Sequence, residues 1–334
     1  MTKMAASKTS LSVLPTLPTE VPAAPRVPSS KERHAVAKMP EEWRAFLAER
    51  GEPTFRGDQI FRWIHAQGVF DPEKMTNLSR PLRAALAELG LGCPLEELSV
   101  RRSSDGTRKL LLRLHDGLAI ECVLIPMTNL EPEDDSDEDG DDEPSQTPLT
   151  LCVSTQVGCA MGCVFCASGQ AGLKRGLGAH EIISQLIVAR RHLDPGERIR
   201  NIVFMGMGEP LHHYAETART IHLLTHPHGH AMSLRRITVS SVGLISGIRK
   251  LGEEFEGKVG LAISLHAPDT ETRSQIIPMN RHQPMADLMQ ALREYPLPKR
   301  RRITIEYTLI DGINDRVEHA RRLAEVLRGL PTKV

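Results

Sequence analysis

The chain has 334 residues, 40% hydrophobic and 25% charged, with 42 Lys+Arg against 42 Asp+Glu. That length suits one large α/β domain plus a small one, and the composition is ordinary for a soluble protein. No apolar run approaches the ~20 residues of a membrane-spanning helix and the N-terminus lacks a signal-like apolar core, so a membrane role is excluded and a cytoplasmic one expected.

The zero net charge is misleading. Residues 131–143 carry ten acids and no base, which leaves the rest of the chain with an excess of ten positive charges. A basic body fits a polyanionic partner.

Residues 1–38 are rich in Pro, Ser, Thr, Ala and Val, without an aromatic residue or a sustained period, and are expected to be a disordered tail. A transit peptide would want an Arg-rich amphipathic face, which is missing. Residues 39–126 form the expected accessory module. Pro40 suits a first helical turn, and Trp43, Phe46 and Leu47 share a face before Gly51. The run from Phe55 to Gly68 repeats the pattern, with Asp58 as cap and Gly68 as stop. Ser79 can cap a third helix that buries Leu82, Leu86 and Leu89, and the aromatic residues read as core.

From 96 to 126 the period changes. Asp105-Gly106 and Asp116-Gly117 are hairpin signals between Val- and Leu-rich runs. Three strands follow, placing Arg101, Arg102, Arg108, Lys109 and Arg113 on or near one surface. That surface either holds RNA or is simply solvated. The acidic insertion, 127–148, repels itself too strongly to pack and is expected to point away from bound RNA.

From 149 strands and helices alternate. Strands are expected at Leu149–Thr155, Asn201–Met205, Arg236–Ser240, Val259–Leu265 and Arg302–Ile310. Helices are expected at Glu181–Arg191, near Leu244–Leu251, at Met285–Glu294 and at Val317–Leu327. Five βα units of a parallel barrel result, and Lys333-Val334 begins a sixth strand. The fold class is α/β: a partial (βα)6-type barrel over 149–334, with its chemistry expected at the strand C-termini.

Directly after the first of these strands comes Cys159-Ala-Met-Gly-Cys163-Val-Phe165-Cys166. A zinc site would want a fourth Cys or His at a second short spacing. His226, His228 and His230 lie in a Pro/Gly turn and read as solvated loop residues. A disulfide set does not suit a cytosolic chain. Three thiolates on a four-iron cube leave one iron open, and an open iron can bind a substrate's amine and carboxylate. That is the logic of reductive cleavage of S-adenosylmethionine (SAM).

Phe55-Arg-Gly-Asp-Gln-Ile, Cys152-Val-Ser-Thr-Gln-Val-Gly-Cys159, Phe204-Met-Gly-Met-Gly-Glu-Pro-Leu211, Ala262-Ile-Ser-Leu-His-Ala-Pro268 and Thr304-Ile-Glu-Tyr307 occur in one order. Together they closely resemble the RlmN/Cfr family of radical-SAM RNA methyltransferases, and more the RlmN branch. The resemblance implies methylation of C2 of adenosine in 23S rRNA and in tRNA beside the anticodon, with one [4Fe–4S] cluster and SAM. It implies Cys159, Cys163 and Cys166 as cluster ligands. Phe165, Gly208, Glu209, Ser240, Ser264, Leu265 and His266 match SAM contacts. Glu121 matches the base for the C2 proton. Cys152 matches the thiol that releases the product by forming a disulfide. A low-potential flavodoxin- or ferredoxin-type donor is implied by the family chemistry, and a monomer is expected.

The family's methyl-carrying Cys, in an Ala-Cys-Gly-Gln-Leu-like loop, has no match in this sequence, nor has the Asn-Pro turn after the sixth strand. A C-terminally truncated chain is therefore expected, whose complete methyl transfer is in doubt. A radical-SAM enzyme with another substrate and an inactive RNA-binding remnant are the alternatives.

Overall fold

The computed structural model describes residues 33–127 and 147–334, so most of the tail and of the acidic insertion lie outside the described residues. The tail's last residues are ordered. Ala35, Val36 and Ala37 form a buried 3₁₀ turn, and the His34 ring stacks on that of His180 at 4.3 Å. Three small apolar residues in a row suffice to seat this turn against the barrel helices.

Three helices follow: α1 (Pro40–Ala48), α2 (Arg56–His65) and α3 (Arg80–Glu88). Trp43, Leu47, Ile60, Phe61, Ile64, Leu82 and Leu86 are buried, whereas Leu89, past the end of α3, is 41% exposed. Ser79 caps α3 by accepting from the Leu82 N–H. Asp58 does not cap α2. It sits inside the first turn, where its carboxylate takes two hydrogen bonds from Arg44 on α1, at 2.8 and 2.9 Å.

The three expected strands form as β1 (Glu96–Arg102), β2 (Arg108–Arg113) and β3 (Ala119–Pro126). They are not a separate sheet: β3 pairs antiparallel with β4 (Thr147–Cys152), the first barrel strand. The others are two short strands, β5 (Gln156–Val157) and β6 (Arg175–Gly176), then β7 (Glu197–Phe204), β8 (Ile237–Ser241), β9 (Gly260–Ser264), β10 (Ile303–Glu306) and β11 (Thr332–Lys333). The large sheet runs β1-β2-β3-β4-β7-β8-β9-β10-β11. From β4 onward it is parallel, and β11 is the expected sixth strand, set beside β10.

The helices α4 (Ala167–Gln170), α5 (Ala179–Ala189), α6 (Tyr214–Thr225), α7 (Ile245–Phe255), α8 (Thr270–Ile276), α9 (Met285–Glu294) and α10 (Val317–Val326) link these strands. Strand β10 stops at Glu306, four residues short of the expected end. Asn314, fully buried, takes over the backbone beyond it, accepting from the Ile310 N–H and donating to the Thr308 and His266 carbonyls.

Register divides the sheet cleanly, because alternate residues point to opposite faces. Leu151, Ile202, Phe204, Val239, Leu261, Ile263 and Ile305 are buried on one face, where α5 and α6 supply Ile182, Ile183, Leu186 and Leu224. The pairings Cys152↔Val203↔Thr238, Ser240↔Ala262↔Thr304 and Ser264↔Glu306 share the other, polar face. Through Val123↔Cys152 that face continues onto β3, where Glu121 lies two residues before Val123.

The five cations of the hairpin module do not share a surface. Arg101 and Lys109 pair across β1 and β2, and Arg113 follows on the same side, the side of Glu121. Arg102 and Arg108 point the other way. Arg108 is buried and bonds Glu197 through both guanidinium ends at 2.7 and 2.8 Å, and both arginines reach Asp194.

His226, His228 and His230 are half-buried rather than simply solvated. They dock the end of α6 onto α2: His226 lies edge-on to Phe61, His228 reaches Asp58, and His230 shares a 3.3 Å hydrogen bond with fully buried His65.

Candidate active site

The C-terminal ends of β4, β7, β8 and β9 carry the expected functional residues, apart from Glu121 on β3. After β4 the chain makes an excursion clamped at its base by the β5·β6 pair, and the three cysteines lie on it. Gly158 starts it at φ +75°, where an added Cβ would sit 1.8 Å from the Gly172 oxygen. The loop is tied to α8 by the Val164 N–H donating to the Ile276 carbonyl at 3.1 Å.

The six cysteines are free thiols, and Cys159 and Cys163 are buried. Burial pushes both thiols up to about 12, and the neighbouring cysteines and Glu209 add to it. Buried, mutually close thiols of this kind deprotonate when a metal centre supplies the positive charge. No three His, Cys, Asp or Glu side chains among the described residues converge as ligands of a single ion. A four-iron cube takes each thiolate on a different iron, and three soft thiol donors on one loop are the donor type it needs.

The Gly206-Met-Gly208-Glu209 loop follows β7. Gly208 has φ +106°, and a Cβ there would lie 2.5 Å from that of Gln156. This close approach lets the Gln156 Oε1 accept from the Glu209 N–H at 3.0 Å. The Glu209 carboxylate is itself buried and accepts from the backbone N–H groups of Leu211, at 3.1 Å, and Val242, at 2.9 Å. Burial raises its pKa to about 7 in spite of these donors. A buried carboxylate near the cysteine loop is suited to an ammonium group.

On the polar face of the sheet, Ser240 and Ser264 donate to one oxygen of Glu306, Oε2, at 3.2 and 2.8 Å. Leu265 is different: its side chain is fully buried, its N–H goes to the Ile263 and Glu306 carbonyls, and its carbonyl accepts from Arg273. His266 has φ +53° and accepts from the Thr308 N–H at Nδ1, so Nε2 carries the proton of the neutral ring. Burial lowers its pKa to about 4, which keeps it neutral at pH 7. Phe165, 37% exposed, meets it edge-on with centroids 4.9 Å apart.

Arg273 and Gln156 were not singled out by sequence. Arg273, 1% exposed, bonds the Val242, Ser264 and Leu265 carbonyls and Asn280 at once. It thereby locks the ends of β8 and β9 together beneath the cysteine loop. A lone Arg on a short helix gives no sequence signal for this, since its partners lie up to 31 residues away.

Cys152 and Glu121 complete the polar face. Burial raises the Cys152 thiol to about 11, and the Glu306 carboxylate adds to the effect. Glu121 is 43% exposed and ion-paired to Lys109 at 3.0 Å. Its backbone carbonyl accepts from Ser154 Oγ at 2.5 Å, and the same hydroxyl accepts from the Met207 N–H. One serine therefore ties the Glu121 strand to the Gly-Met-Gly-Glu loop.

Comparison with known proteins agrees with this geometry. Residues 38–90 match the Ribosomal RNA large subunit methyltransferase N-terminal domain, and residues 153–324 match the Radical SAM superfamily. A dual-specificity RNA methyltransferase RlmN of Sorangium cellulosum is 55% identical, covering 90% of this chain and 82% of its own length. One of Syntrophobacter fumaroxidans is 45% identical over 88% of this chain and 79% of its own. The crystal structure of a radical SAM methyltransferase from Sphaerobacter thermophilus superposes with a TM-score of 0.79 at 41% identity, covering 90% of this chain and 83% of that one.

Proposed function

The chain belongs to the RlmN family of radical-SAM RNA methyltransferases, and on that premise we propose that it methylates C2 of adenosine in 23S rRNA and in tRNA. The observation that supports this most is the shared face. Glu121, Cys152, Ser240, Ser264 and Glu306 project from one side of one sheet, beneath the loop that holds the three cysteines.

Cys159, Cys163 and Cys166 would hold a [4Fe–4S] cluster, which when bound with SAM supplies a 5′-deoxyadenosyl radical. The protein's own residues set the rest. Glu209 accepts the methionyl ammonium. Phe165, backed by His266, offers an aromatic edge to the adenine. C2 of adenine is an electron-poor amidine carbon, so the reaction ends by removing its proton, and Glu121 stands ready as a carboxylate on the open face. Cys152, on the same face, is the thiol that would release the product by forming a disulfide with the family's methyl-carrying Cys, a residue that has no match in this sequence. Arg101, Lys109 and Arg113 extend that face with positive charge suited to RNA phosphates.

The test is anaerobic reconstitution followed by electron paramagnetic resonance. A [4Fe–4S] signal that SAM perturbs is expected, and failure to form a cluster would sink the reading. Formation of C2-methyladenosine on rRNA and tRNA lacking that mark then tests the substrate.

A further inference from the structure

Arg273 carries a full positive charge that none of the chemistry above uses. It sits on α8, 1% exposed, and its guanidinium donates to the Val242, Ser264 and Leu265 carbonyls and, at 2.9 Å, to Asn280 Oδ1. These acceptors are all neutral, and no carboxylate among the described residues accepts from it. The fork of bonds explains the shape of the side chain but not its charge, because a neutral donor also satisfies a carbonyl. A cation taken out of water without a counter-ion is costly.

The cysteine loop rests on the groups that Arg273 holds. The Val164 N–H donates to the Ile276 carbonyl, one turn of α8 beyond Arg273. Phe165 meets His266, the residue after Leu265, edge-on at 4.9 Å. Val164 and Phe165 are the residues between Cys163 and Cys166. At Cys163, burial and the neighbouring Cys159, Cys166 and Glu209 all oppose a thiolate, and Arg273 favours it. Burial lowers the Arg273 pKa only to about 10, so the guanidinium stays charged at pH 7. Its three nitrogens are all engaged and it has almost no open surface, so it is not placed to bind a ligand directly.

The charge therefore acts through space. A four-iron cube held by three thiolates becomes more negative when it takes up an electron, and net charge is among the factors that set its potential. A buried cation stabilises the more negative, reduced form more than the oxidised one, with little screening by salt.

We propose that Arg273 is the buried counter-charge of the cluster site, and that it raises the potential at which the cluster accepts one electron from a low-potential donor. The donor is oxidised by that one electron and the three thiolates are unchanged in the step. This rests on the [4Fe–4S] reading given above, and it makes Arg273 a residue that tunes the cluster from a distance rather than a catalytic one.

The test is a redox titration of the anaerobically reconstituted full chain without SAM, with dithionite as reductant and electron paramagnetic resonance as the readout. Arg273→Met should lower the equilibrium constant for reduction at least tenfold, a potential about 59 mV more negative for one electron. A merely structural role would move the potential the other way, because a loosened loop admits water and water also stabilises the more negative form. Asn280→Asp keeps Arg273 and sets a carboxylate against its guanidinium, so it should lower the potential in the same direction. An unchanged or raised potential in Arg273→Met overturns the proposal. If that variant takes up no cluster, Asn280→Asp decides, and an unchanged or raised potential there overturns it as well. If the unmodified chain forms no cluster, the underlying reading falls first and takes this one with it.

Discussion

At the scale of single residues, Glu209 is the carboxylate that burial moves furthest toward neutral pH. Its pKa near 7 lies above the unfolded value of 4.5. Between those two values the folded chain holds a proton that the unfolded chain has released. Glu209 therefore lowers stability as pH rises from 4.5 to about 7, the reverse of an ion-paired carboxylate. Binding of an ammonium reverses the preference, because the carboxylate is the form it needs. SAM affinity should rise with pH up to about 7 and level off above it, approaching tenfold per unit on the acid side. Glu209→Gln should bind weakly and show a flat profile; a sloping profile in that variant, by equilibrium dialysis of SAM against the cluster-loaded chain, would assign the proton to another group.

Residues also mark the limit of what sequence alone conveys. The cysteine spacing and Gly208-Glu209 are legible because neighbours in sequence are neighbours in space. Glu306, Arg273 and Asn314 are not, because each works through partners brought in by other strands. The split of the hairpin cations could have been read from strand alternation: Arg101, Lys109 and Arg113 share a parity along their ladders, and Arg102 and Arg108 do not share it. What hides it is the change of phase at each turn, which depends on the register that the fold sets.

At the scale of elements, the loop after β10 shows how one side chain replaces a strand. Asn314 takes the Ile310 N–H at 2.6 Å and gives bonds of 2.7 Å to both the His266 and Thr308 carbonyls. Asn314→Ala should cost about 1–3 kcal/mol, the range for leaving buried polar groups unpaired. Amide exchange should speed up over 307–314 and spare β9; if the whole sheet exchanged faster instead, the local account would be wrong.

Helix α6 was illegible for a related reason. It carries Thr217, Thr220 and Thr225, which disfavour a helix in isolation. Each hydroxyl returns to a backbone carbonyl, those of Pro210, Glu216 and Ile221.

The seam between α2 and the end of α6 is made of aromatic and imidazole rings. His65 is fully buried, and burial lowers its pKa to about 3 from 6.5; His230 is lowered as well. For a base depressed in this way, the unfolded chain binds the extra proton between the two values. Stability is intact above 6.5 and drains away as pH falls through that window toward 3. His65→Phe should therefore show a shallower loss of stability in urea between pH 7 and pH 4 than the parent chain. An unchanged acid slope would move the effect to other buried histidines such as His180, which burial brings to about 4.

At the scale of the whole molecule, the sheet sorts its charges by face. Arg102 and Arg108 are spent on Asp194 and Glu197, and they hold the β1·β2 hairpin to the start of β7 and the residues before it. Arg101 and Arg113 lie on the side of Glu121. Charge reversal at Arg101 or Arg113 should weaken RNA binding and reduce the salt slope by about one for each cation lost. Arg102→Ala should leave that slope unchanged. Equal effects from all three, in filter binding over a salt series, would contradict the assignment of faces.

The antiparallel join of β3 to β4 has a consequence for how this chain tolerates change. Both strands of this join are already fixed by their other neighbours, β3 by β2 and β4 by β7. A single residue added within β3 ahead of Glu121 has a sharp consequence. It would reverse the pleat from that point, turning Glu121 toward the helices and bringing the buried thiol of Cys122 to the open side. A slip of one position in this strand therefore exchanges the carboxylate for the thiol.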